Sequence, residues 1–106
     1  MKITYDARVK VSGWFAPDER RTVGATEKGA ARQMLATGFH MELVPGPLGW
    51  QARMVTLDGR LLRPDGRPGV APGLRHYFLT EPDTPDWVRD LVARSMPAQF
   101  PPLPTP

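Results

Sequence analysis

The strongest constraint on the fold is the strict alternation of apolar and polar residues at the start of the chain. Residues 2–11, KITYDARVKV, place apolar side chains at every odd position and polar or charged side chains at every even one. A period of two is typical of a β-strand with one face in the core and one in water. The pattern predicts a single strand over residues 2–11, followed by a turn near residues 17–20 and a short strand over 21–24.

A helix is predicted next, over residues 27–37. Thr26 is suited to cap the free amides of the first turn, and Glu27 favours the positive end of the helix dipole. Gly38 is placed to end the helix. The apolar positions that would share one helix face are Ala30, Ala31, Met34 and Leu35.

The alternating pattern returns after residue 38 and predicts further strands. Residues 39–44 and 50–57 are expected to form a hairpin around the sequence PGPLG, and Asp58-Gly59 is a pair favoured in two-residue turns. We therefore expect residues 60–63 to fold back on the preceding strand. Residues 63–73, with three prolines and three glycines, are expected to form a loop, and residues 74–80 another strand.

The end of the chain predicts a second helix and an extended tail. Thr84 as N-cap, Pro85 in the first turn and Asp86 at the positive dipole end predict a helix over residues 85–95. Its apolar stripe contains Trp87 and Leu91, whereas Arg89 is expected to face water. Five of the ten residues 97–106 are proline, which favours extended polyproline-like chain.

The fold class expected from these elements is α+β. We predict a single small domain over residues 1–97 and a proline-rich extended tail over 98–106. The domain contains a mostly antiparallel sheet of four to six strands, one early helix and one C-terminal helix. A chain of 106 residues is the size of one domain. The absence of cysteine excludes disulfides and thiolate chemistry, and no run is long enough for a signal peptide or membrane span, so we expect a cytoplasmic protein without membrane association.

Few residues suggest catalysis. The two serines, Ser12 and Ser95, do not lie in a nucleophile elbow, and no glycine-rich loop has phosphate-binding spacing. His40, Glu42 and His76 are compatible with a metal site of two histidines and one carboxylate, but exposed positions on a sheet face explain them more simply. We therefore expect no enzyme activity, no catalytic residues, no metal and no cofactor.

The first functional hypothesis is a small interaction protein that binds another protein or itself. Trp14-Phe15, just after a glycine at a strand end, is the pair expected to be exposed. A proline-rich tail is able to lie along a partner surface. The protein-binding residues expected on these grounds are Trp14, Phe15, Phe100, Pro101, Pro102 and Leu103. Arginine outnumbers lysine by 11 to 3 and asparagine is absent, which favours a GC-rich bacterial source and a phage or mobile-element regulator, inhibitor or assembly component.

The alternative hypothesis is a nucleic-acid-binding accessory protein. Residues 53–75 contain five arginines and two aspartates, while the nine basic and nine acidic residues elsewhere cancel. All of the net charge of +3 thus lies in this region, which could contact a phosphate backbone. The arginines expected to do so are Arg60, Arg63, Arg67 and Arg75.

Overall fold

The computed structural model describes residues 1–6, 10–47 and 49–96. These residues form six strands, one 3-10 turn and one α-helix. The strands are β1 (Lys2–Asp6), β2 (Lys10–Trp14), β3 (Arg21–Glu27), β4 (Ala30–Gly46), β5 (Gly49–Leu62) and β6 (Pro68–Phe78). The 3-10 turn is Pro17–Glu19, and helix α1 is Asp86–Ser95.

The six strands form one sheet in which every pairing is antiparallel. The order across the sheet is β1-β2-β4-β5-β6, and β3 also pairs with β4. The long strand β4 pairs with β3 along residues 30–36 and with β2 along residues 38–42, so β2 and β3 lie end to end beside it. β3 also contacts β6, which shows that the sheet curls strongly at this end.

One face of the sheet, which we call the inner face, packs against α1. Val88 and Leu91 of the helix join strand residues such as Met34, Phe39 and Leu57 in one buried core. The Tyr77 and Trp87 rings meet edge to face at 6.4 Å, and the Tyr5 hydroxyl donates to the Ser95 carbonyl at 3.1 Å. The helix therefore covers the inner face and leaves the opposite, outer face of the sheet without a covering layer among the described residues.

The predicted early helix is wrong. Residues 27–37 contain the end of β3, a turn at Lys28-Gly29 and the first part of β4. Met34 and Ala36 point into the core as alternating strand residues, and Thr26 lies within β3 rather than capping a helix. Pairing with β3 on one side and β5 on the other supplies the hydrogen bonds that a helix would otherwise provide.

The first predicted strand is divided in two. β1 and β2 form a hairpin in which Tyr5 pairs with Val11 and Asp6 with Lys10. Folding back keeps the alternation in each arm, because both arms contribute to the same sheet. The region predicted as a turn near residues 17–20 contains the 3-10 turn, and the short strand predicted from residue 21 is β3.

The hairpin turn lies at the second Asp-Gly pair, within the predicted loop, and not at the first pair, where it was predicted. β5 runs straight through Asp58-Gly59, and a Cβ atom at position 59 would lie 2.0 Å from the Leu35 carbonyl oxygen. Gly59 thus permits close approach of two strands. The turn lies at Asp65-Gly66, where Gly66 has a φ of +84° and its N–H donates to the Arg63 carbonyl at 2.8 Å. β6 begins at Pro68, so the predicted loop over residues 63–73 is shorter than expected.

The β4–β5 hairpin and the C-terminal helix are confirmed, with α1 beginning at Asp86. Its N-cap is Pro85, and the Thr84 hydroxyl instead donates to the Phe78 carbonyl at 2.7 Å. Arg89 does not simply face water, since its guanidinium donates to the Leu79 and Glu81 carbonyls at 2.8 and 2.6 Å. No helix among the described residues has the length and apolar character needed to cross a membrane. The predicted tail, residues 98–106, lies outside the described residues.

Candidate protein-binding face

The outer face carries a row of four residues in register across four strands. Trp14 on β2 pairs with Gly38 on β4, Gly38 pairs with Asp58 on β5, and Asp58 pairs with Leu74 on β6. Trp14 is 64% exposed and Leu74 is 54% exposed. The register therefore places two large apolar side chains three strands apart in one row, about 14 Å at the usual strand spacing. On the other side of Trp14 the row continues to Lys2 of β1.

The Trp14 ring lies over Gly38. A Cβ atom at position 38 would lie 3.6 Å from Cε3 of Trp14 and 2.8 Å from the Gly13 carbonyl oxygen. The indole N–H of Trp14 makes no hydrogen bond to any described residue. The exposed aromatic ring thus carries a donor that is unpaired among the described residues, and we call Trp14 with Gly38, Ser12 and His40 the Trp14 platform.

A second row, next to the first, is polar. Ser12, His40, Thr56 and His76 pair in register from β2 to β6. The Thr56 side chain is only 2% exposed, and its Oγ1 lies 2.8 Å from Nδ1 of His76. His40 and His76 stand on either side of Thr56 in this row.

His40 also contacts the first row, since its Nδ1 lies 3.0 Å from Oδ2 of Asp58. Ser12, the cross-strand neighbour of His40, makes no hydrogen bond to it within the described residues. A serine nucleophile requires a direct link to its base. The arrangement places Ser12, His40 and Asp58 close together, but within the described residues no hydrogen bond links Ser12 to His40.

The third exposed apolar residue of this face is Phe78, which is 53% exposed and pairs with Met54 of β5. Two shallow depressions lie on either side of His40. One of about 230 Å³ contains Trp14 and Gly38, and the other of about 280 Å³ contains Val44 and Met54. The outer face therefore combines apolar anchors, shallow relief and polar groups able to form hydrogen bonds.

The two residues of the predicted Trp14-Phe15 pair lie in different environments, one in solvent and the other in the core. Trp14 is exposed as expected, but the expectation for Phe15 is wrong, because Phe15 is 8% exposed and stacks on Phe39 at a centroid distance of 5.6 Å. Successive residues leaving a strand point to opposite sides, so one ring reaches the outer face and the other the core. The other predicted protein-binding residues, Phe100, Pro101, Pro102 and Leu103, lie outside the described residues.

The four predicted phosphate-binding arginines are not brought together in one cluster. Arg60 is exposed on β5, and Arg67 lies in the β5–β6 turn, where its N–H donates to Asp65 at 2.9 Å. Arg63 pairs with Asp65 at 3.3 Å. Arg75 lies further along β6 with its guanidinium 4.8 Å from the centre of the Tyr77 ring.

The histidines considered for a metal site lie in one row, on either side of Thr56, while Glu42 pairs with Lys10 at 3.6 Å. Within residues 1–6, 10–47 and 49–96, no group of three histidine, cysteine or acidic side chains could hold a metal ion.

Sequence reasoning missed the contribution of Leu74, Phe78 and Met54 to the outer face. A signal was present in LRHYFLT, residues 74–80, which has apolar residues at both odd and even positions. A strand with apolar residues on both faces is expected to pack against other protein on both faces. The α1 helix covers one of them here, and the other carries the exposed residues.

The chain matches no family model, no curated protein and no solved structure, so the interpretation of this face depends on its own geometry.

Proposed function

We propose that the protein is a non-enzymatic binding module that engages another protein through the outer face of its sheet. The observation that carries the proposal is that Trp14, Leu74 and Phe78 are each more than half exposed on the one face that α1 leaves uncovered. Large exposed apolar patches on a domain mark interaction sites.

The composition of this face suits a protein interface. Tryptophan and phenylalanine are enriched at interfaces, and a buried tryptophan often provides a large share of the binding energy. The three anchors bound an area of about 14 by 13 Å, given usual strand geometry. That area fits within an interface of ordinary size, which buries about 800 Å² per partner, with the three apolar side chains at its corners.

The polar groups between the anchors would provide specificity. His40, Asp58 and His76 lie among the apolar residues and already have one partner each, which limits the freedom they lose on binding. The charged residues Lys10 and Glu42 lie nearby on the same face and would belong to the solvated edge of the interface. The composition of the chain further supports a role as a phage or mobile-element regulator, inhibitor or assembly component.

The test is quantitative capture of partners by tagged full-length protein from nuclease-treated extract of native host cells. Trp14→Ala with Phe78→Ala is compared with Arg63→Ala with Arg67→Ala, two exposed positions in the β5–β6 turn. We expect the outer-face variant to lose at least about 90% of a partner that the arginine variant retains. Equal capture by both variants would contradict the proposal.

A second candidate, nucleic-acid binding, is supported by the end of the sheet where the β3–β4 and β5–β6 turns meet. Arg32 of β4 donates to the Leu62 carbonyl there at 2.8 Å, and Arg63 and Arg67 lie in the neighbouring turn. Arg32 and Arg63 are paired with Glu27 and Asp65, which reduces the charge available for phosphate.

Duplex and single-stranded oligonucleotides, titrated at about 50 and about 200 mM salt, test this candidate. It requires affinity that falls steeply with salt and weakens with Arg60→Ala and Arg67→Ala. Absent or salt-insensitive binding would eliminate it.

A further inference from the structure

We infer that the Trp14 platform binds the proline-rich C-terminal segment, residues 99–106, of a second copy of this chain. The inference rests on the proposed function of the outer face and names one occupant for it. It connects an exposed aromatic site that the fold leaves open to a segment whose chemistry is complementary to that site.

The segment QFPPLPTP is rich in hydrogen-bond acceptors and poor in donors. Four of its eight residues are proline, and each proline keeps a carbonyl oxygen but lacks an N–H. Proline-rich segments also lose little entropy on binding because the polyproline conformation is preformed. Such a segment requires a flat apolar surface with donors beside it.

The Trp14 platform provides those features. The indole ring lies over Gly38, where no side chain interrupts the surface, and its N–H makes no hydrogen bond to any described residue. The Ser12 hydroxyl and the His40 ring flank the same depression. Proline rings stacked on Trp14 would place their carbonyls within reach of these donors, which is how aromatic-lined grooves recognise polyproline segments.

The position of α1 favours a second copy as the source of the segment. Ser95 is fully buried on the inner face, and its carbonyl accepts the Tyr5 hydroxyl. The described chain therefore ends, at Met96, on the side of the sheet opposite the Trp14 platform. Only residues 97 and 98 separate Met96 from this segment, and two residues in polyproline conformation span about 6 Å, which is too short to carry the whole segment around the edge of the sheet to the platform of the same chain. Reciprocal exchange between two copies would form two identical contacts and a closed dimer.

Sedimentation equilibrium of the full-length chain over a wide concentration range tests the inference. We expect a reversible dimer whose dissociation constant rises at least about tenfold in Trp14→Ala, and equally in the triple variant Pro101→Ala, Pro102→Ala and Pro104→Ala. Val70→Ala is the matched control, because Val70 is 97% exposed but lies outside the Trp14 platform. Circular dichroism of each variant confirms that the fold is unchanged.

A mixing experiment shows directly whether the segment of one copy binds the platform of another. The Trp14→Ala chain keeps its segment and the proline variant keeps its platform, so mixing them should restore one of the two contacts and produce a heterodimer. A monomeric wild type would overturn the inference, as would a dimer unaffected by either variant or a mixture that forms no heterodimer.

The two experiments also distinguish self-association from the proposed function. If Trp14→Ala abolishes partner capture but leaves self-association unchanged, the inference is wrong and the proposed function of the outer face is supported. If neither self-association nor capture depends on Trp14, both the inference and the proposed function are wrong.

Discussion

The Trp14 ring lies across Gly38 of the neighbouring strand, with Cε3 only 3.6 Å from the place where a Cβ atom would stand. This contact holds the indole flat on the outer face and leaves 64% of the residue exposed. An aromatic ring over a cross-strand glycine stabilises a sheet where the glycine alone would weaken it. The platform therefore depends on both residues.

Gly38→Ala should disturb this pair. The added methyl group would lie 2.8 Å from the Gly13 carbonyl oxygen, which belongs to the backbone of β2 and cannot easily move. We expect a loss of about 1–3 kcal/mol in unfolding free energy, measured by urea denaturation. A stability equal to that of the wild type would show that the two strands are not so closely packed.

The two Asp-Gly pairs should respond differently to alanine. Gly59→Ala would place a methyl group 2.0 Å from the Leu35 carbonyl oxygen, so we expect a loss of at least about 3 kcal/mol. Gly66→Ala meets no atom within 4 Å and has only the strain of a φ of +84°, which we expect to cost about 1–2 kcal/mol. Chemical denaturation of both variants gives the order, and the reverse order would contradict the strand register.

Arg89→Ala should destabilise the connection between β6 and α1. Its guanidinium donates to the Leu79 and Glu81 carbonyls, and its removal leaves both acceptors without that partner. We expect a loss of about 1–3 kcal/mol by thermal or urea unfolding. Arg94→Ala is the control on the same helix, because among the described residues its guanidinium donates only to the Asp90 carbonyl, at 3.4 Å, and its effect should stay within about 0.5 kcal/mol.

Glu19 should contribute to the acid dependence of stability. The pKa of its carboxyl is lowered from 4.5 because Oε1 accepts the Ala16 N–H at 2.9 Å and lies 2.9 Å from the N-terminal ammonium group of Met1. A lowered pKa in the folded state adds stability above the unfolded value, and that stability is lost as pH falls through the folded pKa.

The measurement is the unfolding temperature of wild type and Glu19→Gln between about pH 7 and about pH 2. The wild type should be the more stable at neutral pH, and the difference should shrink below about pH 4.5. Glu81→Gln, at an exposed glutamate elsewhere on the surface, provides the comparison. A difference that stays constant across this range would rule out the assigned contacts.

The sequence predicted local elements better than it predicted which elements pair. The β4–β5 hairpin and α1 follow from alternation, turn residues and a proline near the helix start. Residues 30–36 were predicted as a helix because Ala30, Ala31, Met34 and Leu35 also fit helical spacing, and a strand of 17 residues is unusually long. One partner of this segment, β3, is joined to it by the tight turn at Lys28-Gly29, where both residues have a positive φ, and the helical interpretation overlooked this turn. The other partner is the far end of β5, where Leu61 pairs with Met34, and it leaves no local signal.

The candidate site was likewise predicted in its local features but not in its long-range alignment. Exposure of Trp14 could be predicted from its place at a strand end beside a glycine. Its alignment with Asp58 and Leu74 could not, because it depends on the register of three successive strand pairs. An error of one residue in any of these registers would move a side chain to the other face.

The most direct test of the outer face as the binding surface is oxidative footprinting of full-length protein, alone and in complex with its captured partner. We predict that labelling of Trp14 and Phe78 falls several-fold in the complex, since both rings would be buried. Tyr5, which is 46% exposed and contacts α1 on the inner face, should be labelled equally in both states. Unchanged labelling of Trp14 and Phe78 in the complex would contradict the outer face as the binding surface.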